Sequence, residues 1–252
     1  MPYSDEDLRS YYDTLPATYG RDALCKMELP KELPGKTALD IGCRRGKGLY
    51  KLSEQVGPNG RAIGVEWRAE MLERAKAGEE KAIAKSGLDS SNMLFCNVYP
   101  ERLEDAIDAS CADFAYVNCS LNLFYDPVCA LTQIYRALKP GGLLVCDTVL
   151  ATGPRIAAVV TAARALGNAV QAAPHRKDLM AWLMSAGFDV TSIGAFSSED
   201  VDPSYDADGN PTIPIAPSSE PISFVATSIH IYKSDNIDRH SNSLRDDISQ
   251  FR

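Results

Sequence analysis

Five short apolar runs alternate with stretches of helical period, and this alternation limits the possible folds more than any other feature of the chain. The runs occupy 37–42, 61–66, 93–96, 113–117 and 143–146. Helix-period stretches lie between them at 49–56, 69–84 and 127–138. Runs that are apolar without alternation suit strands buried on both faces, the condition of a parallel sheet covered by helices. Right-handed crossovers then leave a doubly wound, mostly parallel α/β sheet with helices on both faces as the expected architecture.

The remaining segments flank this core. Residues 1–36 are expected to form an N-terminal helical cap, and 37–233 the main domain, with its core at 37–195. Within it, 154–187 is alanine-rich and reads as helical, 196–221 as an exposed acidic, proline-rich excursion, and 223–232 as the last strand. Residues 234–252 read as a flexible polar tail. Asp206-Ala207-Asp208-Gly209-Asn210 resembles the start of a calcium loop, but its glycine comes too early and no closing glutamate follows. No metal is expected there. The net charge of −8 argues against binding a phosphate backbone. Without an apolar window long enough for a span and without a basic, apolar leader, the expected address is the cytoplasm, with no membrane partner. The oligomeric state is not readable. Seven cysteines, an odd number with no Cys-x-x-Cys, are expected to be mostly reduced and buried.

The chemistry concentrates in Asp40-Ile41-Gly42-Cys43-Arg44-Arg45-Gly46-Lys47-Gly48, which joins the first strand to the first helix. Glycine there permits a tight turn and close approach of a ligand to the backbone, in front of a helix N-terminus. Glu66 ends the second strand, where a carboxylate can accept both hydroxyls of a ribose. Loop, helix and strand-end acid in this order point to an adenosine-containing cofactor. Asp40 would repel a pyrophosphate and suits a cationic amino-acid end.

This order, with Leu138-Lys139-Pro140-Gly141-Gly142 before the fifth strand, resembles the Rossmann-like S-adenosylmethionine-dependent methyltransferases over about residues 36–195. The resemblance implies S-adenosylmethionine as cofactor. It implies contacts from Asp40, Gly42, Cys43, Arg44 and Gly46 in the loop, from Glu66 and Trp67 after the second strand, and from Asn97, Val98 and Tyr99 after the third. Asn118 and Cys119, ending the fourth strand, would face the methyl group. The usual middle glycine of the loop is Arg44 here.

Within that class the chain is most similar to arsenite methyltransferases and their quinone-biosynthesis relatives. Tyr11-Tyr12, Asn118-Cys119 with Asn122-Leu123, Asp178-Leu179 and Ala186-Gly187-Phe188 carry the likeness. The resemblance implies Cys25 and Cys119 as thiolates for a metalloid acceptor, while Ala169 stands where the family has a third cysteine. Thiolates suit soft elements, and an As(III) lone pair needs no strong general base. His175, His230 and His240 read as packing or surface residues. Two alternatives stay open: methylation of carbon, oxygen or nitrogen in a small organic molecule, and cofactor binding without catalysis.

Overall fold

A computed structural model describes residues 3–15, 27, 29–201 and 222–234. Its core is a seven-stranded sheet of order β3-β2-β1-β4-β5-β7-β6. β1 (Thr37–Ile41), β2 (Arg61–Val65), β3 (Met93–Cys96), β4 (Ala112–Asn118) and β5 (Leu138–Ala151) run parallel. β7 (Phe224–Tyr232) and β6 (Gly194–Val201) complete the sheet antiparallel. The expected doubly wound architecture is therefore present. Side chains alternate between two cores. Leu39, Ile41, Val117, Leu144 and Cys146 face one side, and Ala38, Phe114, Tyr116, Leu143 and Val145 face the other.

Local chemistry explains the helices. In α1 (Asp5–Thr14), Ser4 and Asp7 form a reciprocal capping box, and acids in the first turn complement the helix dipole. Its Leu8 and Tyr12, four residues apart, are buried. α2 (Lys47–Val56) covers one face, and α5 (Pro127–Ala137) the other, its N-terminus capped by Asp126 Oδ1 through the Val128 and Cys129 amides.

Several expected boundaries move. The single helix expected over 69–84 is two, α3 (Ala69–Ala77) and α4 (Glu79–Ser86), separated at Gly78. The cause is Tyr50, whose hydroxyl donates to the Ala75 carbonyl at 2.5 Å. A Cβ at Gly78 would lie 2.2 Å from that hydroxyl oxygen. The fifth strand begins at Leu138 rather than at 143, because Gly141 N–H and Gly142 C=O pair with the backbone of Lys233. In the region 154–187 only α6 (Ala157–Ala165) and α7 (Arg176–Ser185) are helical; Gly167, at φ 69°, and Pro174 interrupt them. The expected cap at 1–36 is helical only in α1 among its described residues.

The expected excursion from 196 is corrected at its start. Residues 194–201 are a strand paired with β7, from Gly194↔His230 to Val201↔Phe224. Polarity misled that reading, because an edge strand is held by main-chain hydrogen bonds that polar residues satisfy equally well. The calcium-like segment at 206–210 and the tail from 235 lie outside the described residues. Among the described residues no helix is long and apolar enough to cross a membrane, and no group of His, Cys, Asp or Glu is arranged to hold a metal.

Candidate active site

The strand order reverses between β1 and β4, so a crevice opens at the carboxyl ends of these strands, the usual ligand position in such a sheet. The loop after β1 turns sharply at Gly42, with φ 80°. The Gly42 and Cys43 amides both donate to the Val65 carbonyl at 2.9 Å, which ties the loop to the end of β2. A Cβ at Gly42 would lie 3.1 Å from Ser120 Oγ and 3.6 Å from the Trp67 ring, so glycine keeps the backbone bare there. Gly46, at φ 82°, then starts α2 by accepting the Tyr50 amide at 2.8 Å. Arg44 also adopts the left-handed region, with φ 50°. The turn that glycine usually makes is thus kept at the cost of backbone strain.

Glu66 lies just past β2 and is 1% exposed. Its Oε2 accepts the Arg44 amide at 3.0 Å and its Oε1 the Arg68 amide at 2.9 Å. The carboxylate therefore braces the glycine loop while keeping lone pairs for further donors. Burial raises its pKa, opposed by these two amides. Asn97 Nδ2 donates to the carbonyls of Glu66 (2.8 Å) and Trp67 (3.0 Å), joining the end of β3 to the end of β2.

Asp40 sits beneath the loop, 3% exposed. Its Oδ2 has no hydrogen-bond partner, and a Cβ on Gly48 would come within 2.6 Å of it. Burial and the neighbouring Glu66 charge push its pKa up to about 7, against the Leu49 amide. Trp67 Nε1 is likewise buried without a partner. Buried polar atoms without protein partners beside a crevice are suited to pairing with a bound ligand. An unpaired carboxylate oxygen, a bare glycine backbone and a braced acid fit a nucleoside with a cationic end, which is the shape and charge of S-adenosylmethionine.

Three further expected residues, Cys43, Val98 and Tyr99, are placed around the same crevice or in the core beside it. The Cys43 thiol packs beneath Gly64, where a Cβ would lie 2.9 Å from its sulfur, so only its backbone borders the crevice. Val98 is a core residue packed with Leu103 and Ile107. Tyr99 stacks on Tyr12, with centroids 5.3 Å apart and planes at 19°, and Tyr12 lies 4.6 Å from the Trp67 ring.

Tyr12 belongs to a clasp that sequence alone did not reveal. Its hydroxyl donates to Glu101, with contacts of 2.9 and 3.1 Å to the two carboxylate oxygens, and the Asp126 amide reaches the same carboxylate at 3.2 Å. Burial pushes the Glu101 pKa up to about 7. Arg68 Nη2 donates to the Leu15 carbonyl at the end of α1. Tyr11 donates to the Leu123 carbonyl at 2.8 Å and Tyr3 to Asp126 Oδ2 at 2.6 Å. Helix α1 is thereby held against the segments that follow β2, β3 and β4.

At the far end of the crevice, Asn118 and Cys119 are half-buried. Cys119 is left-handed, with φ 52°, and its amide donates to the Asp147 carbonyl at 2.7 Å. The expectation of reduced thiols holds for Cys43, Cys96, Cys111, Cys129 and Cys146, but Cys119 is disulfide-bonded. Cys119 sits half-buried on a sharp turn, whereas Cys43, Cys96 and Cys146 are buried. Cys25 lies outside the described residues. Asn122, part of the Asn-Cys-x-x-Asn-Leu likeness, is a structural hub. It donates to the Val149 and Ala169 carbonyls at 3.0 Å each and accepts the Thr148 hydroxyl at 3.0 Å. His175 caps α7 and bridges to Ala151 at the end of β5, and His230 lies in β7 in register with Val145. Two grooves at the amino edge, one beside Arg61 and Asn92 and one beside Lys36 and Lys139, are remote from the crevice.

Comparisons with known proteins agree with this geometry. The mouse (Mus musculus) arsenite methyltransferase is 30% identical over 60% of this chain and 39% of its own length. The Halobacterium salinarum arsenite methyltransferase is 31% identical over 64% of this chain and 39% of its own. The Geobacillus stearothermophilus demethylmenaquinone methyltransferase is 28% identical over 56% and 59%. The chain thus spans about two fifths of the length of the two arsenite methyltransferases. The crystal structure of an arsenic(III) S-adenosylmethionine methyltransferase from Chlamydomonas reinhardtii shares the fold, with a TM-score of 0.71 over 90% of this chain and 73% of that one at 24% identity. Residues 32–187 match the methyltransferase domain family, and the chain belongs to that family, of the class I, S-adenosylmethionine-dependent fold.

Proposed function

We propose that this protein transfers the methyl group of S-adenosylmethionine to a small acceptor seated beside Asn118 and Cys119, and that a soft metalloid, trivalent arsenic, is that acceptor. When bound, S-adenosylmethionine supplies an electrophilic methyl carbon on a sulfonium. Asp40 Oδ2 answers the cationic amino-acid end, Glu66 accepts the ribose hydroxyls, and the bare backbone at Gly42 and Gly46 permits close approach. Hydrogen bonds to such a charged acceptor contribute about 1.5–3 kcal/mol each. Trp67 and Tyr99, with Tyr12 packed against both, border the adenosine side. The observation that carries the reading is the orphaned Asp40 carboxylate beneath a glycine loop braced by Glu66.

For the acceptor, the reading leans on the arsenite methyltransferase relatives and on the placement of Cys119. A thiolate binds a soft element and a disulfide does not, so capture requires a reduced Cys119. The test is methylation of arsenite in the presence of a dithiol reductant. Cys119→Ser, or Cys25→Ser, should lose at least about a hundredfold in turnover, the loss of a thiolate–metalloid bond being worth several kcal/mol. Affinity for S-adenosylhomocysteine should stay nearly constant. Unchanged turnover in both variants discards the metalloid. A second reading, an organic acceptor with an N–H or O–H group, is favoured by the alanine at 169 and by the carboxylate of Asp147.

A further inference from the structure

Asp147 lies within β5, level with the last residue of β4 and so beside the carboxyl ends of β1 and β4, on the acceptor side of the crevice. Ile41, the last residue of β1, is in register with Val117 of β4, which is in register with Cys146 of β5, so Asp147 lies one residue past the end of β1. It is the register partner of Asn118, and its carbonyl takes the Cys119 amide. By strand alternation its side chain shares a face with Tyr116 and Asp40.

The side chain is 4% exposed. The Tyr116 hydroxyl donates to Oδ2, and Oδ1 has no partner. Among the described residues no lysine, arginine or histidine forms an ion pair with it. A buried carboxylate oxygen without a donor lowers stability, and a catalytic or binding role is one reason native proteins keep such a group. Asp40, whose Oδ2 is also orphaned, is two strands away, about 10 Å at the usual strand spacing. One small cation cannot satisfy both. If Asp40 answers the amino-acid end of the cofactor, Asp147 is left for a different ligand.

We propose that Asp147, oriented by Tyr116, forms the acceptor-side subsite of methyl transfer and receives an N–H or O–H donor, preferably cationic, through Oδ1. The inference rests on the methyl-transfer reading above, follows its second, organic acceptor rather than the metalloid, and adds the class of acceptor group. With Asp40, Glu66 and Asp147 all buried around the crevice, an anionic group would be repelled at this end. A protonated amine or a hydroxyl gains a charge-assisted hydrogen bond. Tyr116 positions the carboxylate: burial and the adjacent Asp147 raise its own pKa, so its proton stays on the phenol and its hydroxyl stays a donor.

The test uses two nucleosides that need no known acceptor. Sinefungin carries a carbon-bound ammonium where S-adenosylmethionine carries its methyl sulfonium, whereas S-adenosylhomocysteine has neither. Calorimetric Kd values are measured for both with wild type, Asp147→Asn and Tyr116→Phe. Asp147→Asn should weaken sinefungin about tenfold or more, the loss of one charge-assisted hydrogen bond, and change S-adenosylhomocysteine less than about twofold. Tyr116→Phe should weaken sinefungin by a smaller factor, about threefold, again sparing S-adenosylhomocysteine. The Asp147→Asn protein should melt no lower than wild type, because Oδ1 of the replaced group has no donor in the folded protein to lose. Equal weakening of both nucleosides, or no change in either, overturns the proposal, as does a lowered melting temperature with unchanged sinefungin preference. Failure of wild type to bind S-adenosylhomocysteine overturns the cofactor reading itself, a result distinct from the others.

Discussion

Replacing Glu101 by glutamine removes a buried titratable proton while keeping an oxygen for its donors, and the structure sets the size of the effect. Glu101 is 2% exposed and takes the Tyr12 hydroxyl and the Asp126 amide. Burial raises its pKa from 4.5 to about 7, with the donor groups opposing. The folded protein therefore holds a proton that the unfolded chain has released. The stability this contributes is complete below 4.5 and is lost as pH rises through 7. Each pK unit is about 1.4 kcal/mol, so between about pH 5 and about pH 8 the loss is about 2–3 kcal/mol. Glutamine has no proton to lose. The stability of Glu101→Gln relative to wild type should therefore improve by about 2–3 kcal/mol from the lower pH to the higher. Urea unfolding at each pH measures this, with the m value serving as the check that the unfolded state is unchanged. The difference isolates Glu101, since Asp40 titrates alike in both proteins. A difference that is constant with pH would refute the idea that Glu101 is a neutral acid clasping Tyr12.

Two further predictions concern the glycine loop. Asp40 should release a proton when a cationic cofactor binds, because the new charge lowers a pKa that burial has raised to about 7. S-adenosylmethionine titrated near pH 6.5 in two buffers of different ionisation enthalpy should give different heats, and Asp40→Asn should give equal ones. Arg44→Gly should relieve the left-handed backbone at φ 50° and stabilise the protein by about 1 kcal/mol, or a few degrees in Tm. A calorimetric scan showing a lower Tm would mean that the Arg44 side chain matters more than the strain.

Much of the site was legible because its determinants are local. The Asp40–Gly48 loop, the acid Glu66 and the strand–helix alternation depend on neighbours within one βαβ unit, where residue type and spacing decide the conformation. Arg44 illustrates both sides of this. The sequence marked it as a departure from glycine, and the structure shows the same turn made at the expense of strain. Boundaries failed where a distant partner intervened, as at Gly78, which Tyr50 forces open, and at 194–201, which β7 recruits into the sheet. The odd cysteine count pointed to reduced thiols and missed the disulfide at Cys119, since a disulfide depends on proximity in space.

The sequence by itself determined the parallel α/β sheet, the glycine loop and the acid that follows β2, since burial periodicity and turn chemistry act over a few residues. Only the tertiary structure decided that Glu101 meets Tyr12 across 89 positions, that Tyr116 holds Asp147 across 31, and that Asp40 and Asp147 each keep an oxygen without a donor. The physical reason is that a carboxylate's role depends on which donors and how little water surround it, and those surroundings exist only once strands distant in sequence lie side by side.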